Sequence, residues 1–212
     1  MSSFVLRYFP VHARAETIKA ILSYANADWV QETPSWPQEK SDQPVGKLPV
    51  LIETLPSGTQ FTLCESLAIE LYLVKQFGLS ASETPQMEAR QMELRSQIKD
   101  IYELTVLYKF APTDEVRKNV MEKFVVLAKS IIEYHEKVLK ENGSNGHYFG
   151  DKVTYVDLAV FASNCALKAS MKNIMPEALE IFSKENAPEM TKVIKNLKAD
   201  PKMSAYVATL EN

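Results

Sequence analysis

Several residue types that would mark common protein classes are scarce in this sequence. Of its 212 residues only two are cysteines, Cys64 and Cys165, which are too few for a disulfide framework and lack the Cys-x-x-Cys spacing of a metal or redox pair. The three histidines are scattered, so the sequence predicts no metal site. No apolar run is long enough to cross a bilayer, and the opening residues lack a basic segment followed by an apolar one. A cytoplasmic location is therefore expected.

An excess of positive charge is also missing. The formal net charge is -3, and the basic residues form no stripe, so the phosphate-neutralising surface of a nucleic-acid-binding protein is not expected. A small-molecule partner is favoured instead. The 46% of hydrophobic residues are enough to bury a full core, and the length suits one large domain or two small ones.

The first third of the chain alternates between strand-like and helix-like segments. The predicted order is β-α-β, a loop, and then β-β-α, built on the segments FVLRY, AETIKAILSYA, WVQET, PVLIET, TQFTL and SLAIELYL. In the last of these, Leu67, Leu71 and Val74 mark the expected buried face. This order predicts a small sheet with helices packed on it. The β-α-β crossover implies that its first two strands are parallel.

The remainder of the chain is predicted to be helical. The segment FGLSASETP, residues 77–85, marks a boundary between an α/β domain of residues 1–78 and an all-helical domain of residues 85–212. Apolar residues recur at helical spacing in the second domain: Leu94, Ile98, Ile101, Thr105 and Tyr108, then Val120, Phe124, Leu127, Ile131 and Val138. VTYVDLAVFASNCAL is apolar on nearly all sides, which predicts a helix at the centre of a bundle. Thr154 and Asp157 have the spacing of a capping box.

Two short motifs have both a structural and a functional interpretation. Glu65 and Ser66 follow Cys64 where a strand is predicted to end and a helix to begin. The backbone N–H groups of a helix start, with a Ser hydroxyl, bind carboxylates, and Glu65 can hold an ammonium group, so the pair suits an α-amino-acid head group. Alternatively, Ser66 simply caps the helix. Pro49 in GKLPVL is either a cis-proline that presents the preceding backbone to a ligand or an ordinary start of a strand.

The segments LRYFPVHARAETIKAIL, SWPQEK, GKLPVL and CESLAIELYL, followed by a helical half with GDKVTYVDLAVF, resemble a cytosolic glutathione transferase over essentially the whole chain. The resemblance is closest to the tyrosine-type classes, especially sigma. It implies a thioredoxin-like domain followed by a helical bundle. It also implies a homodimer that conjugates reduced glutathione, a co-substrate rather than a cofactor, to hydrophobic electrophiles without a metal.

The resemblance assigns the catalytic role to Tyr8, whose hydroxyl hydrogen-bonds the glutathione sulfur, with Arg14 adding positive charge near it. A thiol with a pKa near ~8.5 is mostly protonated at neutral pH, and a hydrogen bond donated to the anion favours the thiolate. Tyrosine suits this role because its pKa near ~10 leaves it protonated. Without the neighbouring motifs, Tyr8 reads as a half-buried strand aromatic and Arg14 as an exposed charge.

The other implied contacts lie along the tripeptide. Its glycine carboxylate is held by Trp36, Lys40 and Lys47, its cysteinyl unit by the Leu48 backbone next to Pro49, and its γ-glutamyl group by Glu65, Ser66 and Asp100 of a partner subunit. Phe9, Leu104 and Tyr108 are implied walls of an apolar pocket between the domains.

Two departures from sigma-like sequences are Glu65 in place of the usual Gln and Val45 in place of a frequent aromatic. The first leaves the class open, and the second leaves an aromatic plug at a dimer interface open. A non-catalytic, crystallin-type protein and a glutathione-dependent isomerase remain alternatives. A cysteine-type thiol transferase is disfavoured because YFPVHAR contains no cysteine.

Overall fold

The computed structural model describes residues 1–81, 84–171 and 176–210. The chain groups into two compact units. The first comprises Met1–Leu79 and the segment that starts at Pro201, and the second comprises Ser80–Asp200. The sequence places residues 201–212 with the helical half, whereas in the structure this segment starts with contacts to the first helix of the first unit.

The first unit contains a four-stranded mixed sheet with the order β2-β1-β3-β4. Strands β1 and β2 are parallel, and the other two neighbouring pairs are antiparallel, as the crossover and the hairpin predict. The elements in chain order are β1 (Ser3–Arg7), α1 (Glu16–Tyr24), β2 (Asp28–Glu32), β3 (Val50–Thr54), β4 (Gln60–Cys64) and α2 (Ser66–Gln76). The α/β class of this unit is confirmed.

The expected face of helix α2 is buried at Val74, which is 3% exposed, but not at its two leucines. Leu67 and Leu71 are 37% and 38% exposed, whereas Ile69, Glu70 and Leu73 are fully buried. The expectation for Leu67 and Leu71 was wrong because a charged residue, Glu70, lies on the buried face. An acidic side chain in the middle of that face hides its apolar period in the sequence.

The second unit is helical, as expected. Its helices are α3 (Pro85–Lys109), α4 (Asp114–Glu141), α5 (Tyr155–Met171), α6 (Pro176–Leu179) and α7 (Pro188–Ala199), while α8 (Ser204–Thr209) belongs to the first unit. The hydroxyl oxygens of Thr84 and Thr113 accept hydrogen bonds from the backbone at the starts of α3 and α4. Within the described ranges, no helix combines the length and apolarity needed to span a membrane.

The apolar stripe of α3 was predicted correctly at its centre, where Leu94, Ile98 and Ile101 are buried. On α4 the buried stripe includes Ala128 and His135, which the sequence pattern did not single out. Val120, Leu127 and Val138 are instead half-buried at its edge.

Helix α5 is buried on nearly all sides at its start, as expected of a central helix. Its first turn is held by Asp157, whose Oδ2 accepts hydrogen bonds from the N–H and the hydroxyl of Thr154, both at 2.7 Å. Oδ1 accepts another from the N–H of Tyr148 at 2.9 Å. The predicted capping interaction is therefore present. Burial raises the pKa of Asp157, against the opposing effect of these donors.

A buried histidine joins three segments of the second unit. Nδ1 of His135 lies 2.6 Å from the Tyr148 hydroxyl, and Nε2 lies 3.2 Å from Oε1 of Gln97. Because an amide oxygen only accepts, Nε2 carries the proton and Nδ1 accepts from Tyr148. Burial lowers the pKa of His135 to about 4, so the imidazole is neutral at physiological pH.

Candidate functional site

Three of the expected site residues lie directly beyond the strands, all at the same end of the sheet. Arg7 on β1 pairs with Val50 on β3, and Val50 pairs with Cys64 on β4. The next residue outward on each strand is therefore Tyr8, Pro49 or Glu65, in the order of the strands across the sheet. Neighbouring strands lie about 4.8 Å apart, so the first and third positions are separated by about 10 Å. That is about the length of an extended tripeptide.

Tyr8 lies one residue beyond β1 and is 5% exposed, so it is buried rather than half-buried. Its backbone is held by the last two residues of β2 and by the residue that follows them. The Tyr8 N–H donates to the carbonyl of Glu32 over 3.0 Å, and the Tyr8 carbonyl accepts from Nε2 of Gln31 at 3.3 Å and from the hydroxyl of Thr33 at 3.2 Å. The strand end therefore holds this residue in one position.

The phenolic oxygen of Tyr8 accepts a hydrogen bond from the backbone N–H of Arg14 over 3.1 Å. A hydroxyl that accepts such a bond becomes a better donor through its own proton, because hydrogen bonds in a chain polarise one another. The Arg14 side chain is exposed and lies immediately before the first turn of α1. The turn between β1 and α1 thus brings together the two residues that the resemblance names as catalytic.

An aromatic row connects Tyr8 with the loop after β2. The ring of Phe9 lies 5.8 Å from that of Tyr8 and 5.3 Å from that of Trp36, which it meets edge to face. The Lys40 ammonium group lies 6.0 Å from the centre of the Trp36 ring. Lys47 is exposed. Aromatic and cationic groups therefore follow one another on the Tyr8 side of the sheet end.

The peptide bond between Leu48 and Pro49 is cis, as is the bond between Trp36 and Pro37. The cis-proline interpretation of the GKLPVL motif is therefore correct. Pro49 is buried directly before β3, and Leu48 is half-buried. The Leu48 backbone accordingly lies at the sheet end between the strands that lead to Tyr8 and Glu65.

Glu65 occupies the position before α2 with φ 72° and ψ 114°, and its side chain makes no capping hydrogen bond. Ser66 is the first helical residue, so the simpler interpretation, in which Ser66 is the cap, is wrong. A positive φ in a residue with a Cβ costs about 1–3 kcal/mol and persists where the surroundings impose it. The carboxylate is exposed beside a helix start whose backbone dipole favours anions.

The remaining expected residues lie in the second unit. Asp100 is exposed on α3. Leu104 and Tyr108 are half-buried and pack against the apolar cluster of that unit, which includes Ile101 and Phe124. Within the part of the chain that the structure describes, no three His, Cys, Asp or Glu side chains are grouped as metal ligands.

The supporting residues were missed at the sequence level. Gln31 and Thr33 hold the Tyr8 carbonyl, yet they appear in the sequence only as polar residues at the end of a predicted strand. The hydrogen bond from the backbone N–H of Arg14 to Tyr8 does not depend on the Arg14 side chain, so no residue type in the sequence indicates it. The positive φ of Glu65 is equally invisible, since Gly or Asn is the residue type that usually marks such a conformation.

Comparison with known proteins gives concordant results. Residues 99–209 match the family described as "Glutathione S-transferase, C-terminal domain". Probable glutathione S-transferase 6 of Caenorhabditis elegans is 34% identical over 170 residues, covering 76% of this chain and 78% of the relative. S-crystallin SL11 of Nototodarus sloanii is 24% identical over 219 residues, covering 100% and 98%. The structure of a Nu-class GST from Haemonchus contortus aligns with a TM-score of 0.76 at 25% identity, covering 99% and 97%.

Proposed function

Because the chain belongs to the glutathione S-transferase family, we propose that Tyr8 stabilises the thiolate of bound glutathione for attack on a hydrophobic electrophile. The chain is a glutathione transferase, and its general reaction is conjugation of glutathione. The roles of individual residues, the use of tyrosine and the apolar nature of the second substrate make up the proposal.

The observation that carries the proposal is the row of Tyr8, Pro49 and Glu65 across one end of the sheet. Glutathione would lie along this row. Its γ-glutamyl ammonium group would meet Glu65, its carboxylate the start of α2 at Ser66, and its cysteinyl unit the backbone of Leu48. The sulfur would then lie at Tyr8.

The other end of the tripeptide would lie beyond Tyr8, where Trp36, Lys40 and Lys47 offer one indole N–H and two ammonium groups for the glycine carboxylate. In this arrangement the Glu65 carboxylate would face the ammonium group at one end of glutathione, and Lys40 and Lys47 would face the carboxylate at the other end. This distribution supports a glutathione site more specifically than the sheet alone does, because thioredoxin-like sheets serve many functions.

Thiolate stabilisation at Tyr8 has a defined energetic requirement. Lowering the pKa of a thiol from ~8.5 by about two units takes about 2.7 kcal/mol and makes the thiolate the majority form at neutral pH. A hydrogen bond from the phenol to a charged acceptor contributes about 1.5–3 kcal/mol. The Arg14 guanidinium would supply further stabilisation through its charge, so the two groups together meet the requirement.

Further parts of the proposal concern the second substrate and the assembly. Phe9, Leu104 and Tyr108 would contact the apolar electrophile. The enzyme would act as a cytoplasmic homodimer in which Asp100 of the partner subunit reaches the γ-glutamyl group. These statements rest on family membership together with the exposed position of Asp100 on α3.

Conjugation of glutathione to 1-chloro-2,4-dinitrobenzene by wild type and Tyr8→Phe tests the proposal. We expect kcat/KM at neutral pH to fall about 10- to 100-fold, because the lost hydrogen bond is worth about 1.5–3 kcal/mol in the thiolate. Thiolate absorbance of the bound peptide should appear at higher pH in the variant. Tyr134→Phe, at a surface tyrosine of α4, is the matched control. Unchanged turnover and an unchanged thiolate titration in Tyr8→Phe would exclude this mechanism.

A non-catalytic role is the second candidate, and it is favoured by the full-length similarity to an S-crystallin. Isothermal titration calorimetry with glutathione separates the two candidates. Heat of binding that is lost in Glu65→Ala supports the enzyme. Absence of heat, with no competition by S-hexylglutathione, supports the structural protein.

A further inference from the structure

The loop after β2 that carries three residues proposed to bind the glycine carboxylate contains a single buried residue between positions 35 and 47. Trp36, Lys40 and Lys47 lie in this segment, and all three are exposed. Gln43 is 4% exposed, whereas every other residue of the segment 35–47 is exposed or half-buried. Burial removes the water around an amide, so Gln43 depends on partners within the protein.

Gln43 is hydrogen-bonded to both halves of this loop. Its backbone N–H donates to the carbonyl of Lys40 over 3.3 Å, and its Nε2 donates to the carbonyl of Glu39 over 3.2 Å. Its own carbonyl accepts a hydrogen bond from the N–H of Gly46 at 3.0 Å. These three hydrogen bonds join the turn that bears Lys40 to the residue directly before Lys47. Gln43 therefore holds together the two parts of the loop that carry the lysines.

The second half of the loop also passes close to the side chain of Lys40. A Cβ atom placed on Gly46, which has φ 60°, would lie 3.6 Å from Cε and 3.7 Å from Cγ of Lys40. The ammonium group of the same side chain lies 6.0 Å from the centre of the Trp36 ring. The position of the Lys40 side chain therefore depends on the closed form of the loop that Gln43 maintains.

Stability alone does not explain the buried amide. Oε1 of Gln43 is buried and has no hydrogen-bond partner among the residues that the structure describes. An unpaired polar atom in the interior costs at least as much as one net hydrogen bond contributes. An apolar side chain of the same size would therefore stabilise the loop equally well or better. Natural proteins keep such unpaired buried groups mainly where function requires them.

We propose that Gln43 is a positioning residue: it fixes the parts of the loop that carry Lys40 and Lys47, and it thereby sets the preference for a peptide with a carboxylate at its glycine end. This inference rests on the glutathione site proposed above. Gln43 acts through the two lysines rather than by contact with the peptide. Its hydrogen bonds are directional, so they select one loop conformation without adding net stability. A loop that is ordered before binding loses less conformational entropy when the carboxylate binds.

A pair of ligands that differ only at the glycine end tests the proposal on the full-length chain. Isothermal titration calorimetry at pH 7 compares S-methylglutathione with its analogue in which a primary amide replaces the glycine carboxylate. Gln43→Met removes the amide of the side chain and nearly keeps its volume. We expect this variant to bind S-methylglutathione about three- to tenfold more weakly than wild type, the effect of ordering a lysine side chain on binding. The affinity for the amide analogue should be the same in both proteins.

Two further measurements separate positioning from a general effect on folding. Gln38→Met makes the same chemical change at an exposed position of the same loop and should bind both ligands as wild type does. The urea denaturation midpoint of Gln43→Met should equal or exceed that of wild type, because an unpaired oxygen leaves the interior. In the conjugation assay, KM for glutathione should rise in Gln43→Met while kcat is retained, since the loop contains neither Tyr8 nor Arg14.

The outcomes also distinguish this inference from the proposed reaction. Equal weakening of both ligands in Gln43→Met, or unchanged affinity for S-methylglutathione, would overturn the positioning role alone. Absence of binding of either ligand to wild type would overturn the glutathione site and this inference with it. Both ligands carry a methylated sulfur, so a failure of thiolate stabilisation at Tyr8 would leave the comparison intact.

Discussion

The hydroxyl of Tyr206 donates a hydrogen bond to Oε2 of Glu16 over 2.5 Å, joining α8 to the first residue of α1. Glu16 is 1% exposed, its charge is compensated by the Lys19 ammonium group at 2.8 Å from Oε1, and Nδ1 of His12 lies 3.2 Å from Oε2. The stability of a buried carboxylate depends on each of its partners, because an unpaired charge in the interior destabilises the fold. The segment after Pro201 therefore stabilises the start of α1.

Tyr206→Phe removes the hydroxyl that makes this hydrogen bond and keeps the aromatic ring. We expect the free energy of unfolding to fall by about 1.5–3 kcal/mol, the range for a hydrogen bond to a charged group, as measured by urea denaturation. Tyr134→Phe makes the same chemical change at the surface, where the hydroxyl bonds Glu93, and should cost less than about 0.5 kcal/mol. Equal losses in the two variants would show that burial of Glu16 does not strengthen the contact.

Glu65→Ala and Glu65→Gly separate the function of this residue from its conformation. Both variants lose the carboxylate, so calorimetry should show glutathione affinity reduced about tenfold or more in each. Only alanine keeps the Cβ that disfavours φ 72°. The glycine variant should therefore be more stable than the alanine variant by about 1 kcal/mol in urea denaturation. Retained affinity would remove Glu65 from the site, and equal stability would show that its backbone is unstrained.

Local sequence patterns predicted much of the first unit. The alternation of FVLRY and WVQET, with a helix between them, requires a right-handed crossover, and that fixes the parallel pairing of β1 and β2. The hairpin needs only the turn LPSG between two strands. Because Tyr8, Pro49 and Glu65 stand at strand ends, correct strand limits to within one residue were enough to place them at one end of the sheet.

The sequence pattern did not predict the features that depend on the tertiary environment. Glu70 is fully buried, so the buried face of α2 was assigned to the wrong leucines. His135 carries no sign in the sequence that it lies between Gln97 and Tyr148. Hydrogen bonds between residues as distant as Tyr206 and Glu16 have no local signal, because loop closure over such a separation is set by the whole fold.

The neutral state of His135 makes stability depend on pH. Its pKa is about 4 in the folded chain and near 6.5 when unfolded, so unfolding takes up a proton between these values. The contribution of the neutral imidazole is complete above about pH 6.5 and is lost as the pH falls toward 4. At about 1.36 kcal/mol per pH unit, the loss attributable to His135 is about 3 kcal/mol.

His135→Gln should flatten this part of the profile when the free energy of unfolding is measured by urea denaturation from pH 7 to pH 4. His147→Gln, at a half-buried histidine of the same unit, leaves His135 in place and should retain the slope. A profile that is equally steep in wild type and His135→Gln would assign the acid sensitivity to the carboxylates.

Asp157→Asn tests whether the start of α5 depends on a carboxylate rather than on a polar residue of the same size. The two oxygens of Asp157 accept three hydrogen bonds, whereas an asparagine offers one oxygen and places an NH₂ group against an N–H donor. We expect a loss of about 2–4 kcal/mol in the free energy of unfolding, because a buried donor is left unpaired next to another.

Asp114→Asn, in the first turn of α4 at a position where the side chain is 96% exposed, is the matched control and should change stability by less than about 0.5 kcal/mol. A loss of similar size in both variants would mean that the helix dipole, rather than the buried hydrogen bonds, determines the effect.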